Sequence, residues 1–193
     1  LEKITLNAGI RFQRHSIYGN QWIPSAGFAW NFDKLTTWKG SVSKGFRSPT
    51  IRELFLWGPN PALDPESIIS YETGLTRWFF KRKMNAEITI YHLNGDNLII
   101  TVPQKGLQNA GKVNNTGIEL AVNATPAKNL ELNVTYSYIN MENPVYATPE
   151  HHLFLNATYN LKKWQLNANI QQINNLDNDA SAVVNLESYT LLN

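Results

Sequence analysis

The chain has 193 residues, 42% of them hydrophobic and 17% charged, which places it among folded proteins and excludes an intrinsically disordered one. Its formal charge of +2 is scattered along the sequence without the basic stripe that backbone phosphates demand, so nucleic acid is excluded as an expected partner. No cysteine is present, which removes disulfides, thiolate nucleophiles and thiolate metal sites, and no apolar run approaches the roughly 18 residues of a spanning helix.

Leu1-Glu2-Lys3 opens neither as a signal peptide nor as a usual start, and the chain reads as a segment of something longer. From there alternation with period two dominates. Ile4, Leu6, Ala8, Ile10 and Phe12 share one face, and Thr5, Asn7, Gly9, Arg11 and Gln13 the other. The same reading recurs to the end of the chain, where Leu132, Val134, Tyr136 and Tyr138 oppose Asn133, Thr135 and Ser137, and Trp164, Leu166, Ala168 and Ile170 oppose Gln165, Asn167, Asn169 and Gln171. Ten strands are expected, over 3–14, 22–32, 36–48, 68–80, 84–94, 114–125, 130–140, 151–160, 163–174 and 186–193. Several exceed the five or six residues or so usual in soluble sheets.

The connections alternate in kind. Asp33-Lys34-Leu35, Lys81-Arg82-Lys83, the 126–129 segment and Leu161-Lys162 are tight, whereas 49–67, 95–113, 141–150 and 175–185 are long. Short turns at one end and long loops at the other are the pattern of an up-and-down outer-membrane barrel, with its short turns in the periplasm. Alternation cannot say which face is wet, because a soluble sandwich buries the apolar side that a membrane barrel shows to lipid. Aromatics decide in favour of lipid. Trp30, Phe32 and Trp38, then Trp78, Phe79 and Phe80, then Tyr159 and Trp164 crowd strand ends beside turns, as an interfacial girdle requires. The expected fold is all-β, an antiparallel up-and-down transmembrane β-barrel, partial, of about ten strands.

The run Gly45-Phe46-Arg47-Ser48-Pro49-Thr50-Ile51-Arg52-Glu53-Leu54-Phe55 resembles a hallmark of TonB-dependent receptor barrels. Leu63-Asp64-Pro65-Glu66 before Tyr71-Glu72-Thr73-Gly74, Asn109-Ala110-Gly111-Lys112-Val113 before Thr116-Gly117-Ile118-Glu119-Leu120, and Pro149-Glu150-His151 resemble further landmarks in the same order. The resemblance implies a barrel of about twenty-two strands, of which residues 1–193 are one partial barrel domain. It also implies residence in the outer membrane of a Gram-negative bacterium, surrounding lipid, a plug domain and TonB-contacting segment that these residues do not include, and import of a scarce nutrient, a ferric siderophore first. A porin or adhesin barrel and a soluble carbohydrate-binding module are the alternatives.

Parity points Glu72 and Glu119 into the lumen with Arg11, Lys39, Arg47 and Glu87. By resemblance, Arg47, Glu72 and Glu119 are candidates for plug contact; the plain alternative is a hydrated lumen charge. Pro49 removes a ladder donor and should end its strand, and Ile51 to Phe55 can form a helical turn. Loop candidates for ligand contact are Trp57, Asn60, Gln104 and Gln108. His151 and His152 are adjacent on a strand and point to opposite faces, which argues against one shared metal ion, and Asp177-Asn178-Asp179 lacks the remaining ligands of a calcium loop. No catalytic motif, metal centre or cofactor is implied.

Overall fold

The computed structural model describes residues 3–56, 58–102, 104–142, 148–177 and 185–193. Its strands join one antiparallel sheet in which each but the last pairs with its neighbours in sequence. β1 (Ile4–His15), β2 (Gly19–Asn31) and β3 (Thr36–Arg47) precede one helical turn, α1 (Ile51–Phe55). β4 (Glu66–Phe79), β5 (Met84–Val102), β6 (Gly106–Ala127), β7 (Leu130–Met141), β8 (Pro149–Leu161) and β9 (Trp164–Asp177) follow. The expected last strand is divided into β10 (Asn185–Leu186) and β11 (Tyr189–Leu192), both paired with β9, because Glu187 and Ser188 interrupt the ladder.

The segment 95–113, expected as a long loop, is instead the outer half of the β5–β6 hairpin. Leu98 to Val102 is rich in β-branched residues and pairs out to Val102 against Gly106. The Asn94-Gly95-Asp96-Asn97 run that reads as a loop is a bulge, with the register slipping between Gly95 and Leu98 and Asn97 at φ +60°. The β1–β2 connection, residues 16–18, is also short although it lies at the long-loop end, and His15 Nδ1 caps it by accepting the N–H groups of Ile17 and Tyr18 at 3.2 and 3.3 Å. β2 pairs with β3 only from Ser25 to Asn31, and Pro24, which has no N–H to offer, marks where the two strands part.

The register carries side chains across the sheet in rows. Leu6, Phe28, Gly40, Thr73, Ile90 and Ile118 form one apolar row, and Ser41, Glu72, Tyr91 and Gly117 lie on the opposite face. Among the described residues, the buried hydrophobic side chains are Leu54 and Leu63, both outside the sheet, while Leu6 is 77% exposed, Ile10 67% and Leu166 57%. A soluble sandwich would cover that apolar face with a second layer; no described element does so, which overturns the soluble-module alternative. Trp30, Phe32 and Trp38 meet one another at the first short turn, and the Trp38 indole donates to Thr73 Oγ1 at 2.7 Å. Trp78 departs from the expected girdle: it pairs with Asn85 and shares the polar face with Thr76, because alternation gives outward parity to Arg77 and Phe79 on either side of it.

The polar face of β5–β11 holds a ladder that was not anticipated. Asn85, Asn123, Asn133, Asn156 and Asn169 stand at one level across the five strands β5 to β9, and Asn193, just past β11, continues the row. Each amide has both a donor and an acceptor end, so they link in one direction: Asn123 donates to Asn85 at 3.0 Å, Asn133 to Asn123 at 2.7 Å, Asn156 to Asn133 at 3.3 Å and Asn193 to Asn169 at 3.1 Å. Between Asn156 and Asn169 the run is stepped: Asn156 accepts instead from Asn167, two residues before Asn169, at 2.9 Å.

Gly117 sits directly under the Tyr91 ring, and a Cβ there would run into the ring and its hydroxyl. Gly117→Val is expected to displace Tyr91 and destabilise the barrel by about 1–3 kcal/mol, read as a lower unfolding midpoint in detergent; an unchanged midpoint would show that the wall yields at this point.

Candidate functional site

The long-loop end is organised around Arg47, the last residue of β3. Pro49 follows it and ends the ladder, and Thr50 caps α1 in a reciprocal box with Glu53: Thr50 Oγ1 accepts the Glu53 N–H at 3.3 Å, and the Glu53 carboxylate accepts the Thr50 N–H at 2.7 Å. Arg47 grips the same carboxylate with two nitrogens, at 2.9 and 3.1 Å, and donates from Nε to Glu66 at 2.5 Å. Glu66 also accepts the N–H of Ile99, which the bulge has freed, at 2.6 Å, so one carboxylate ties β3, β4 and β5 together. Glu53 is held down to about 2, first by Arg47 and then by the N–H and hydroxyl of Thr50, against its partial desolvation.

The loop between α1 and β4 docks on the β5–β6 hairpin. Leu63 is 2% exposed beneath it. The Asn60 amide donates to the Leu107 carbonyl at 2.7 Å, and its oxygen accepts the Ala62 N–H at 3.0 Å. Asn109 accepts the Asp64 N–H and donates to the carbonyls of Asp64 and Asn97, each at 2.8 Å. Loop and hairpin enclose a crevice of about 590 Å³ lined by Thr50, Arg52, Leu56, Gly58, Thr101 and Leu107. A larger concavity, about 700 Å³, opens on the outward face between Phe28, Trp38, Tyr71 and Ile90, away from any polar cluster.

Against the sequence expectations, Trp57 lies outside the described residues, as do Asn178 and Asp179 of the acidic run. Asn60 is engaged in holding the loop to the hairpin. Gln104, at φ +65°, stands exposed in the hairpin turn, and Gln108 reaches back to the Lys105 carbonyl at 3.2 Å. Arg47 is committed to Glu53 and Glu66 within its own rim. Glu72 lies between Ser41 and Tyr91, and Glu119 between Thr89 and Ser137; both are exposed on the polar face and neither is in an ion pair with a described residue. Lys39 and Glu87 do pair there, at 3.8 Å. His151 turns outward to the Tyr136 hydroxyl at 2.8 Å, and His152 turns inward to Gln171 at 2.9 Å. Sequence reasoning missed Glu53, Glu66 and Asn109 as site-building residues. The Thr50-x-x-Glu53 spacing is a capping-box signal that could have found the first, whereas nothing local marks the other two.

A single-layer antiparallel sheet, apolar and aromatic on one face, polar on the other, with short turns at one end and braced long connections at the other, is the wall of an outer-membrane β-barrel. The chain belongs to the TonB-dependent receptor family: the family model for the TonB dependent receptor-like β-barrel matches residues 1–193. The iron-regulated outer membrane virulence protein of Vibrio cholerae is 29% identical over 167 residues, a match covering 73% of this chain and 26% of that relative. The fold agrees with the ferric enterobactin receptor PfeA of Pseudomonas aeruginosa at a TM-score of 0.82 and 17% identity, over 100% of this chain and 35% of that structure. The siderophore receptor PiuA of Acinetobacter baumannii gives 0.77 at 16% identity, over 98% and 34%. The chain thus spans about a quarter of the Vibrio relative and a third of these receptors. The family places the wall in the outer membrane, with its short turns in the periplasm and its long connections outside the cell.

Because the folded pKa of Glu53, about 2, lies below its ordinary value of 4.5, its clamp is fully present above about pH 4.5 and is lost as pH falls from there through 2. Hydrogen exchange of residues 50–56, corrected for the intrinsic rate, is expected to show protection falling over that window, and Glu53→Gln should abolish the fall. Equal pH dependence in both proteins would show that Glu53 does not carry it.

Proposed function

We propose that the receptor containing this chain imports a ferric siderophore across the outer membrane, using energy delivered by TonB. The observation that supports it most directly is the conjunction of relatives: an iron-regulated outer-membrane protein in sequence, and siderophore receptors in fold, one of them solved with enterobactin bound. The chemistry of the wall agrees. Its outward face suits outer-membrane lipid, and its rim presents a crevice lined by Thr50, Arg52, Leu56, Thr101 and Leu107, with Gln104 and Gln108 on the same hairpin, as a surface for ligand capture. Its lumen carries exposed carboxylates at Glu72 and Glu119.

In this reading a plug outside this chain fills the lumen, and its cations meet Glu72 and Glu119, which are in no ion pair with a described residue of the wall. Such contacts hold the plug while the ligand waits above it, and force transmitted through TonB disturbs them. Arg47 serves the rim first, because its guanidinium is already held by two carboxylates.

Cells expressing the intact receptor under iron starvation are expected to accumulate iron-55 supplied as a catecholate siderophore, and to stop when TonB is deleted. Accumulation that persists without TonB would end the proposal and return the porin alternative. Separately, Glu72→Gln and Glu119→Gln are each expected to weaken plug retention by roughly 1 kcal/mol after solvent screening, measured as an earlier release of the plug in urea. Unchanged retention in both variants would assign them to a hydrated wall.

A further inference from the structure

We infer that the periplasmic rim of this barrel is a collar for anionic phospholipid, with head-group phosphates of the inner leaflet seated against the basic side chains of all four short turns. In sequence these residues are scattered, which is why the chain shows no basic stripe. The up-and-down ladder gathers them at one edge. The first turn contributes Lys34, the second Lys81, Arg82 and Lys83, the third Lys128, and the fourth Lys162 and Lys163, and every one of them is exposed. None is in an ion pair with a described residue. The turns carry a single acidic residue, Asp33, and its carboxylate is turned inward onto the N–H groups of Leu35 and Thr36 at 2.6 and 2.8 Å. Adjacent turns are also joined, since Arg82 donates to the Lys34 carbonyl at 2.6 Å.

The opposite rim is built differently. There Arg47 is neutralised by Glu53 and Glu66, and Arg52, Lys105 and Lys112 stand among the further carboxylates Asp64, Asp96, Glu142 and Glu150, so cations at that end are interspersed with acids as they are not at the short turns. Charge alone would suit any acidic partner, and the neighbouring side chains choose lipid. Phe80 and Trp164, each 73% exposed, and Phe32 and Leu161, at 47% and 46%, belong to the same turns or flank them. Aromatic bodies beside cationic tips are suited to a boundary where hydrocarbon gives way to phosphate, and a soluble acidic protein offers no hydrocarbon for the aromatics. Arg77 supports the same level. It has outward parity on β4, and its guanidinium bends to the turn, donating to Thr36 Oγ1 at 3.0 Å and lying 5.8 Å over the Phe79 ring.

The inference depends on the membrane orientation of the barrel and not on its ligand, so a receptor that failed to import siderophore would leave it standing. The test is native mass spectrometry of the intact receptor released from nanodiscs of phosphatidylcholine containing one-fifth phosphatidylglycerol. Phosphatidylglycerol is expected to be retained roughly tenfold over its share, to be lost as salt rises, and to fall to its share when the seven turn residues are changed to Gln. Lys105→Gln with Lys112→Gln, on the extracellular hairpin, should change nothing. Should the sevenfold variant fail to insert, Lys81→Gln, Arg82→Gln and Lys83→Gln together, on one turn, are expected to lower retention in proportion. No preference in the unaltered receptor, or a preference that survives neutralisation of the turns, would overturn the inference. So would a soluble polyglutamate that binds the turns in detergent while phosphatidylglycerol is not enriched.

Discussion

In hydrocarbon there is no water to satisfy a peptide group, and each unpaired N–H or C=O costs several kcal/mol. That constraint shapes most of this chain. It demands a continuous ladder between neighbours, and the ladder makes residues alternate strictly between two faces. The alternation in turn separates Leu6, Phe28 and Ile90 from Glu72 and Glu119 without any core to sort them. Where the chain leaves the ladder, at Pro49 and at the Asn97 bulge, another device takes over. The free N–H of Ile99 is taken by Glu66, and the start of α1 by Thr50 and Glu53.

The polar face is not uniform around the wall. At mid-height its charges, Arg11, Lys39, Glu72, Glu87 and Glu119, lie on β1 to β6, whereas β7 to β9 carry Glu131 and Glu150 near strand ends and between them present mostly amides and hydroxyls across the same face. A carboxylate exposed without a partner interacts at long range and selectively with cations. An amide ladder can exchange its hydrogen bonds with water or with another amide at little electrostatic cost. One wall therefore carries a sector able to grip by charge and a sector whose middle is polar but neutral.

Strand positions were legible in the sequence because the period-two signal is local and was repeated in nearly every strand. The helical turn at Ile51 was legible for the same reason, since Pro49 and the Thr50–Glu53 spacing act within one turn. What escaped depended on partners distant in sequence. The 95–113 segment looked like a loop because Asn, Gly and Asp signal turns, and only pairing between Leu98–Val102 and Gly106–Gly111 makes it a hairpin. Trp78 reads as a girdle residue by its place beside a turn, whereas its parity turns it to the polar face. In the candidate site, Glu72 and Glu119 could be placed by alternation alone, but the engagement of Asn60 by Leu107 and of Arg47 by Glu66 joins residues 47 and 19 positions apart. The asparagine ladder was visible only as unremarked polar residues until the register aligned them.

The tie between loop and hairpin bears on how such a surface can diverge. Asn60, Asp64, Glu66, Asn109 and the bulge at Asn97 hold one another, so a change at any of them is felt by the rest, and tolerated substitutions there must come in matched sets. Among the described residues, the side chains of Gln104 and Lys105 at the hairpin tip belong to no such set, the ties of Lys105 being through its backbone. Sequence drift can remodel the tip one residue at a time while the base stays fixed, which gives the barrel a surface that varies quickly on a support that varies slowly.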